Sequence, residues 1–453
     1  MPQKSQLSAR AVAVEILCLW ATTHDSIEMF FHGATQQLAD IDRGLVKTLV
    51  YGVLRQKEYL DAIIRKFSRH PLRKMKPRTL MTLRIGIYQL LFLNRIPGSA
   101  AVNATVDTLK TAGQPSWLIG FVNGLLRNVV RQRNALPCPE EMMQTDVPIF
   151  NHPSWIIERW QHYFGMDKTR MICQVNAIEP PLMLRVNNRR TSRSVLFDLM
   201  GKSGITVQSG HYSPFSLHVK NFPGGISSLP AYSQGHFQVQ DEAAQLASLL
   251  IGPLAIHSRV LDACAGLGGK TSHLIEMLPL CGSLIALEPD RRRFRLLQEN
   301  LYRLGHVEAA QTFCISLQGY AAANPQCFDA ILVDAPCSGT GVIRRQPDIR
   351  WNRQPDDLSR YQKIQLELLR IAASLIKPDG VLVYSTCSLE PEENEDAIHL
   401  FLQSNPNFIV ENAKVFLPES AHSLVDSSGF FHPTPDQGLD GFFAVRMVAR
   451  RNL

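Results

Sequence analysis

Two cysteines stand in loops that each follow a short apolar run. Cys337 lies in Asp334-Ala335-Pro336-Cys337-Ser338-Gly339-Thr340-Gly341, after Ala330-Ile331-Leu332-Val333. Cys387 lies in Tyr384-Ser385-Thr386-Cys387-Ser388, after Val381-Leu382-Val383-Tyr384. Such runs read as buried parallel strands, and the C-terminal end of a strand is where an α/β sheet presents its chemistry. Asp334 adds a carboxylate at the same place. Thiols and a carboxylate beside a cofactor suit covalent catalysis, in which a thiolate adds to an electrophilic carbon and activates its neighbour. A pyrimidine needs that help: its carbon 5 becomes nucleophilic, enough to attack a methyl donor, once carbon 6 has taken a thiolate. Inert burial is the common fate of cysteine, but two at successive strand ends, one beside an acid, argue against it.

A third loop, Asp262-Ala263-Cys264-Ala265-Gly266-Leu267-Gly268-Gly269-Lys270-Thr271, follows Val260-Leu261 and precedes a helix. Glycines there let a ligand approach the backbone. The triphosphate-binding pattern GxxxxGK[ST] would need glycine where Cys264 stands, and GxGxxG is absent too. A nucleoside-type cofactor without phosphates, such as S-adenosylmethionine, fits better. Glu288 ends the next strand, where a carboxylate accepts hydrogen bonds from a ribose diol.

These loops need a sheet to hold them. Strands are predicted at 259–263, 283–288, 328–333 and 381–386, with a last one at 442–448. A helix over 359–376 carries Ile364, Leu368, Ile371, Ala372 and Leu375 on one face, and Lys377-Pro378-Asp379-Gly380 turns it into its strand. Repeated strand–helix units predict a doubly wound parallel sheet with helices on both faces. Asp262, Glu288, Asp334 and Cys387 then line one edge. Upstream, residues 1–135 read as nearly all helix, with Asp42 and Ser116 as N-caps; 150–175 is a short helical connection, and 180–230 a small α+β unit. The domains predicted are 1–138, 139–235 and 236–453.

Residues 1–138 hold 19 Lys and Arg against 8 Asp and Glu, a net of +11 in a chain of net +7. A basic block suggests an anionic polymer as partner, most simply nucleic acid; a solvated helical surface is the alternative. Seven cations and no acid fall in residues 65–78, where Pro71 and Pro77 prevent one continuous helix. That junction either holds phosphates or is a solvated loop. The nine cysteines show no CxxC spacing, so neither a disulfide framework nor a metal site is expected. Met1 to Ser5 begin no apolar signal region and no run is long enough to span a membrane, so a cytoplasmic location is expected.

Taken together, these motifs resemble the Sun/NOL1/NOP2 family of RNA cytosine-5 methyltransferases. The supporting segments are Asp262 to Thr271, the two cysteine loops, Pro391-Glu392-Glu393-Asn394-Glu395, Pro347-Asp348-Ile349-Arg350-Trp351 and Arg185-Val186-Asn187. The first 135 residues resemble the helical NusB fold, through Ala11 to Leu17, Leu83 to Leu90 and Phe121 to Leu126. The resemblance implies an all-α NusB-like domain, a small α+β module and an α/β Rossmann-like methyltransferase domain. It implies S-adenosylmethionine as cofactor, bound by Cys264, Ala265, Gly266, Leu267, Gly268, Gly269, Lys270, Glu288 and Asp334. Cys387 would be the nucleophile, Cys337 would assist release, Asp334 would contact the cytosine, and Lys270 would lie near the reacting centre. The implied partner is 16S ribosomal RNA, met by a monomer, with no metal and no membrane. Transfer RNA is the rival substrate. A non-catalytic RNA-binding or antitermination protein is the rival class, and Cys337 as nucleophile, as in DNA cytosine-5 methyltransferases, the rival mechanism. The chain departs from the family pattern at Leu267 (usually proline), at Glu288 (usually aspartate), and at Gln311 to Ser316. In that last stretch Cys314 or Ser316 replaces an aspartate near the adenine amine.

Overall fold

The computed structural model of the chain describes residues 8–220, 222, 224–279, 281–324 and 327–450; the start of the chain, Met1 to Ser5, lies outside them. Two compact units result: residues up to Glu179 together with Ile343–Arg353, and Pro180–Val342 together with Gln354 onward.

The first unit is helical: α1 (Ala9–Thr23), α2 (Ile27–Thr35), α3 (Asp40–Arg55), α4 (Lys57–Phe67), α5 (Pro77–Phe92), α6 (Gly98–Thr111), α7 (Ser116–Gln132), the single turn α8 (Pro139–Met142) and α9 (Ser154–Asn176). Ile16, Leu17, Leu49, Val53, Leu83, Ile87, Val122 and Leu126 meet in one core. Neither expected cap is one. Asp42 sits in the first turn of α3, where Asp40 and Asp42 face the positive end of the helix dipole, and Ser116 is the first residue of α7 after Pro115. Nor is 150–175 a short connection, for α9 runs 23 residues and is broken at Gly165 (φ 78°).

The second unit opens with a four-stranded antiparallel sheet, order β2-β3-β1-β4: β1 (Leu182–Val186), then α10 (Arg193–Lys202), β2 (Val207–Ser209), β3 (Ser216–Val219) and β4 (Phe237–Val239). There follow α11 (Glu242–Leu249), β5 (Arg259–Asp262), α12 (Gly269–Met277), β6 (Ser283–Leu287), α13 (Arg291–Leu304), β7 (Ala310–Phe313), α14 (Leu317–Ala323) and β8 (Phe328–Asp334). The chain then enters the first unit for Ile343–Arg353, which includes the turn α15 (Ile349–Asn352), and returns as α16 (Pro355–Leu375), β9 (Ile376–Thr386), α17 (Glu395–Ser404), β10 (Phe408–Glu411) and β11 (Phe443–Ala449).

The large sheet has order β10-β11-β9-β8-β5-β6-β7. Six strands run in one direction and β11, between β9 and β10, runs against them, so the sheet is mixed rather than wholly parallel. Separate cores fill its two faces, around Leu246, Leu274 and Leu297 on one and around Ile331, Leu369 and Ile398 on the other. Burial on both faces is why Ala330 to Val333 can be continuously apolar.

Candidate active site

The strand order sets β9, β8, β5 and β6 side by side, with parallel C-terminal ends. Cys387, Asp334, Asp262 and Glu288 stand at or just past those four ends. The Cys337 and Cys387 sulfurs come within 3.3 Å, and both residues are half-buried. Hydrogen bonding to Cys387, reinforced by burial, pushes the Cys337 thiol well up.

One carboxylate ties the two loops together. Glu393 is fully buried and accepts from Ser338 N (2.8 Å), from the Ser338 and Ser388 hydroxyls, and from Gln365 Nε2 (3.1 Å). Burial still raises its pKa. Each serine directly follows a cysteine, so the sulfur positions are set through this clasp. A backbone approach completes it: Gly341 N donates to Cys387 O (2.9 Å), and Gly441 N donates to Gly341 O (2.8 Å). A Cβ on Gly341 would meet Gly441 O at 2.2 Å, which requires glycine.

Asp334 accepts from Lys270 Nζ (2.7 Å) on one oxygen and from Ser385 Oγ (2.8 Å) on the other. Lys270 also lies 4.7 Å from the Phe442 ring centroid. Asp262 is fully buried and takes Thr271 Oγ1 at 2.6 Å; burial pushes its carboxyl up to about 6. Burial likewise raises the Cys264 thiol.

The loop from Cys264 to Lys270 suits a nucleoside ligand. Gly266 (φ 54°) has open space where a Cβ would stand, so a ligand can rest against its backbone, and Gly268 (φ 85°) is the N-cap of α12. Asn300 Nδ2 holds Leu267 O at 2.9 Å. Glu288 is buried, with Oε1 accepting from Asp290 N. Behind the loop, fully buried Arg185 donates to Gly269 O and Gln240 Oε1 (2.7 Å each) and to Ser272 Oγ and Glu276 Oε1 (2.8 Å each). Cys314 is exposed just past β7, its sulfur 3.8 Å from Pro289 O, whereas Ser316 is occupied in capping α14.

Residues 253–448 match the 16S rRNA methyltransferase RsmB/F family, residues 7–131 the NusB family, and residues 152–223 the ferredoxin-like domain of RsmF/B-like methyltransferases. The chain is 36% identical to the probable ribosomal RNA small subunit methyltransferase B of Bacillus subtilis (strain 168), over 91% of this chain and 92% of the relative. It is 32% identical to the ribosomal RNA small subunit methyltransferase B of Salmonella typhi, over 99% and 100%. The chain belongs to the ribosomal RNA small subunit methyltransferase B family. It is thus an S-adenosylmethionine-dependent rRNA methyltransferase. Its fold is similar to that of PH0851, with a TM-score of 0.76 at 23% identity over 98% of this chain and 100% of that one. It is also similar to a methyltransferase homolog from Pyrococcus horikoshii, at 0.56 and 27% over 69% and 99%.

Sequence reasoning quoted Glu393 and Arg185 inside motifs without giving either a task. The signal available was position: Glu393 follows Cys387 by six residues, and Arg185 is a charge within an apolar strand. The motif Pro347 to Trp351 has another role. Arg350, fully buried in the helical unit, donates to Asn151 O (2.9 Å) and Asn176 O (2.8 Å), and Trp351 Nε1 donates to Leu54 O (2.8 Å). Burial pushes Arg350 down to about 9. Among the described residues one group could hold a metal, Glu395, Asp426 and His432, with Glu395 Oε1 3.0 Å from His432 Nδ1. No described helix is long and apolar enough to cross a membrane.

Proposed function

We propose that this methyltransferase modifies carbon 5 of one cytosine in 16S ribosomal RNA through a covalent cysteine–cytosine adduct. The observation that carries the reading is the 3.3 Å approach of Cys387 and Cys337 beside Asp334 at the C-terminal ends of adjacent parallel strands. The Cys387 thiolate adds to carbon 6, forming a carbon–sulfur bond and leaving carbon 5 nucleophilic. Asp334, fixed by Lys270 and Ser385, holds the N3 and exocyclic-amine edge, which favours addition. When bound, S-adenosylmethionine supplies the methyl group that carbon 5 takes up. Water then takes the carbon 5 proton, the electron pair restores the carbon 5–carbon 6 double bond, and the carbon 6–sulfur bond breaks to release the Cys387 thiolate, with Cys337 assisting that elimination. The residues from Cys264 to Lys270 and Glu288 form the cofactor cradle. A target base in structured RNA must leave its stack to reach the sulfur.

In this reading residues 1–138 bind RNA through phosphate contacts, 139–235 form a second RNA-binding module and 236–453 perform the transfer. The protein acts in the cytoplasm as a monomer, without a metal step. The test incubates Cys337→Ala and Cys387→Ala separately with 16S RNA and S-adenosylmethionine, then runs a denaturing gel. The Cys337 variant should carry a covalently attached RNA band and the Cys387 variant none. The reverse pattern would exchange the roles. Adduct with transfer RNA but not 16S RNA would move the substrate.

A further inference from the structure

The helical unit contains a concavity of about 380 Å³ between the turn Leu72–Lys74, the start of α5 and the start of α7. That volume lies within the range of ligand pockets. Its lining is mostly apolar, with Met75 and Phe121 among the contributors, yet it also includes His70, Lys74, Lys76 and Trp117. Trp117 is 72% exposed. It is the second residue of α7, whose buried stripe is Leu118, Val122, Leu125, Leu126 and Val129, so the indole falls off the face that packs the core. An exposed indole beside a concavity offers a flat face on which an aromatic ring can stack.

Charge decides which partner. The cavity is bordered by the segment with seven cations and no acid between 65 and 78, and Lys74 and Lys76 have no acidic partner among the described residues. A flat aromatic group joined to anionic links satisfies both halves of this site, and an unpaired nucleotide is that ligand. A duplex keeps its base faces stacked inside and cannot offer one to the indole.

We propose that this concavity is a subsite for an unpaired nucleotide of the RNA, its base stacked on Trp117 and its flanking phosphates held by Lys74 and Lys76. The subsite rests on the reading above that RNA is the substrate.

The test uses the full chain with an oligouridylate of about eight nucleotides, and a duplex of equal length beside it. Trp117→Ala should lose roughly five- to a hundredfold in affinity for the single strand, with the duplex affinity and thermal stability unchanged. Trp117→Phe should recover most of the loss. Tryptophan fluorescence should be quenched by the single strand in the native protein and not in Trp117→Phe. Joint replacement of Lys74 and Lys76 by alanine should flatten the log–log salt slope by about 1.4. Unchanged single-strand affinity in Trp117→Ala, with no quench in the native protein, would overturn the subsite and leave this face to a protein partner. Native protein is assayed on 16S RNA in parallel. Failure of native methylation would sink the substrate reading, whereas native methylation with no effect of Trp117 would sink the subsite alone.

Discussion

The edge of the large sheet and the segment from 65 to 78 treat charge in opposite ways. At the sheet edge and just behind it the charged groups are tied inward: Lys270 to Asp334, Glu393 to two serines and a glutamine, and, behind the cofactor loop, Arg185 to Glu276. In the helical unit Lys66, Arg69, Arg73, Lys74 and Lys76 are exposed and have no acidic partner among the described residues. A buried charge must be satisfied by its own protein, and there it fixes geometry. An exposed, unpaired row costs little alone and remains open to an external anion. The first arrangement suits positioning for chemistry and the second suits capture of a polyanion.

The sharpest way to break this contrast is within the helical unit itself. Arg350 is a cation there too, but buried against the carbonyls of Asn151 and Asn176. Arg350→Ala should cost about 4 kcal/mol and lower the melting temperature by on the order of 10 °C. A change under about 1 kcal/mol in calorimetry would mean these bonds do not hold the segment.

Asp262 gives the next effect, through pH. Unfolded, it ionises near 3.8, and folded, at about 6, so the folded chain binds its proton more tightly. Native stability therefore falls as pH rises from about 4 to 6 and stays lower above, by about 3 kcal/mol. Urea unfolding of Asp262→Asn should lack this component, and the difference between variant and native protein should move in the variant's favour across that window. A constant difference would refute it.

Glu393→Ala should remove the acceptor shared by Ser338, Ser388 and Gln365 and misplace both sulfurs, lowering methyl transfer by on the order of a hundredfold, with the KM for S-adenosylmethionine little changed. Glu393→Gln should restore part of the rate, since an amide still accepts on one side. Smallest of all, replacing Lys66 and Arg69 by alanine should shift stability by less than about 0.5 kcal/mol while reducing the salt dependence of RNA binding measured by titration.

The sheet edge was largely legible because its strands are apolar runs that end in loops of unusual composition. The parallel core from Arg259 to Thr386 followed from that alternation, as did the meeting of Cys387, Asp334, Asp262 and Glu288. Other parts carried weaker local signals. β7 alternates partly buried and exposed residues at a sheet edge, and β4 has three residues whose partner, β1, lies about fifty positions upstream. The transfer of Ile343–Arg353 to the helical unit is invisible locally, because Arg350 finds its acceptors some 170 to 200 residues away. Glu393 reads as one acid in an acidic run until both cysteine loops are in place around it.

The Gly341–Gly441 contact carries a consequence for the order of events during synthesis. The carbonyl of Gly341 waits for an amide a hundred residues downstream, and β11, which follows directly, inserts between β9 and β10. A nascent chain can therefore have both cysteines outside the ribosome and still lack the brace that closes the loop between them. Closure of the loop beside the sulfurs therefore comes late in synthesis, with the strand that completes the sheet.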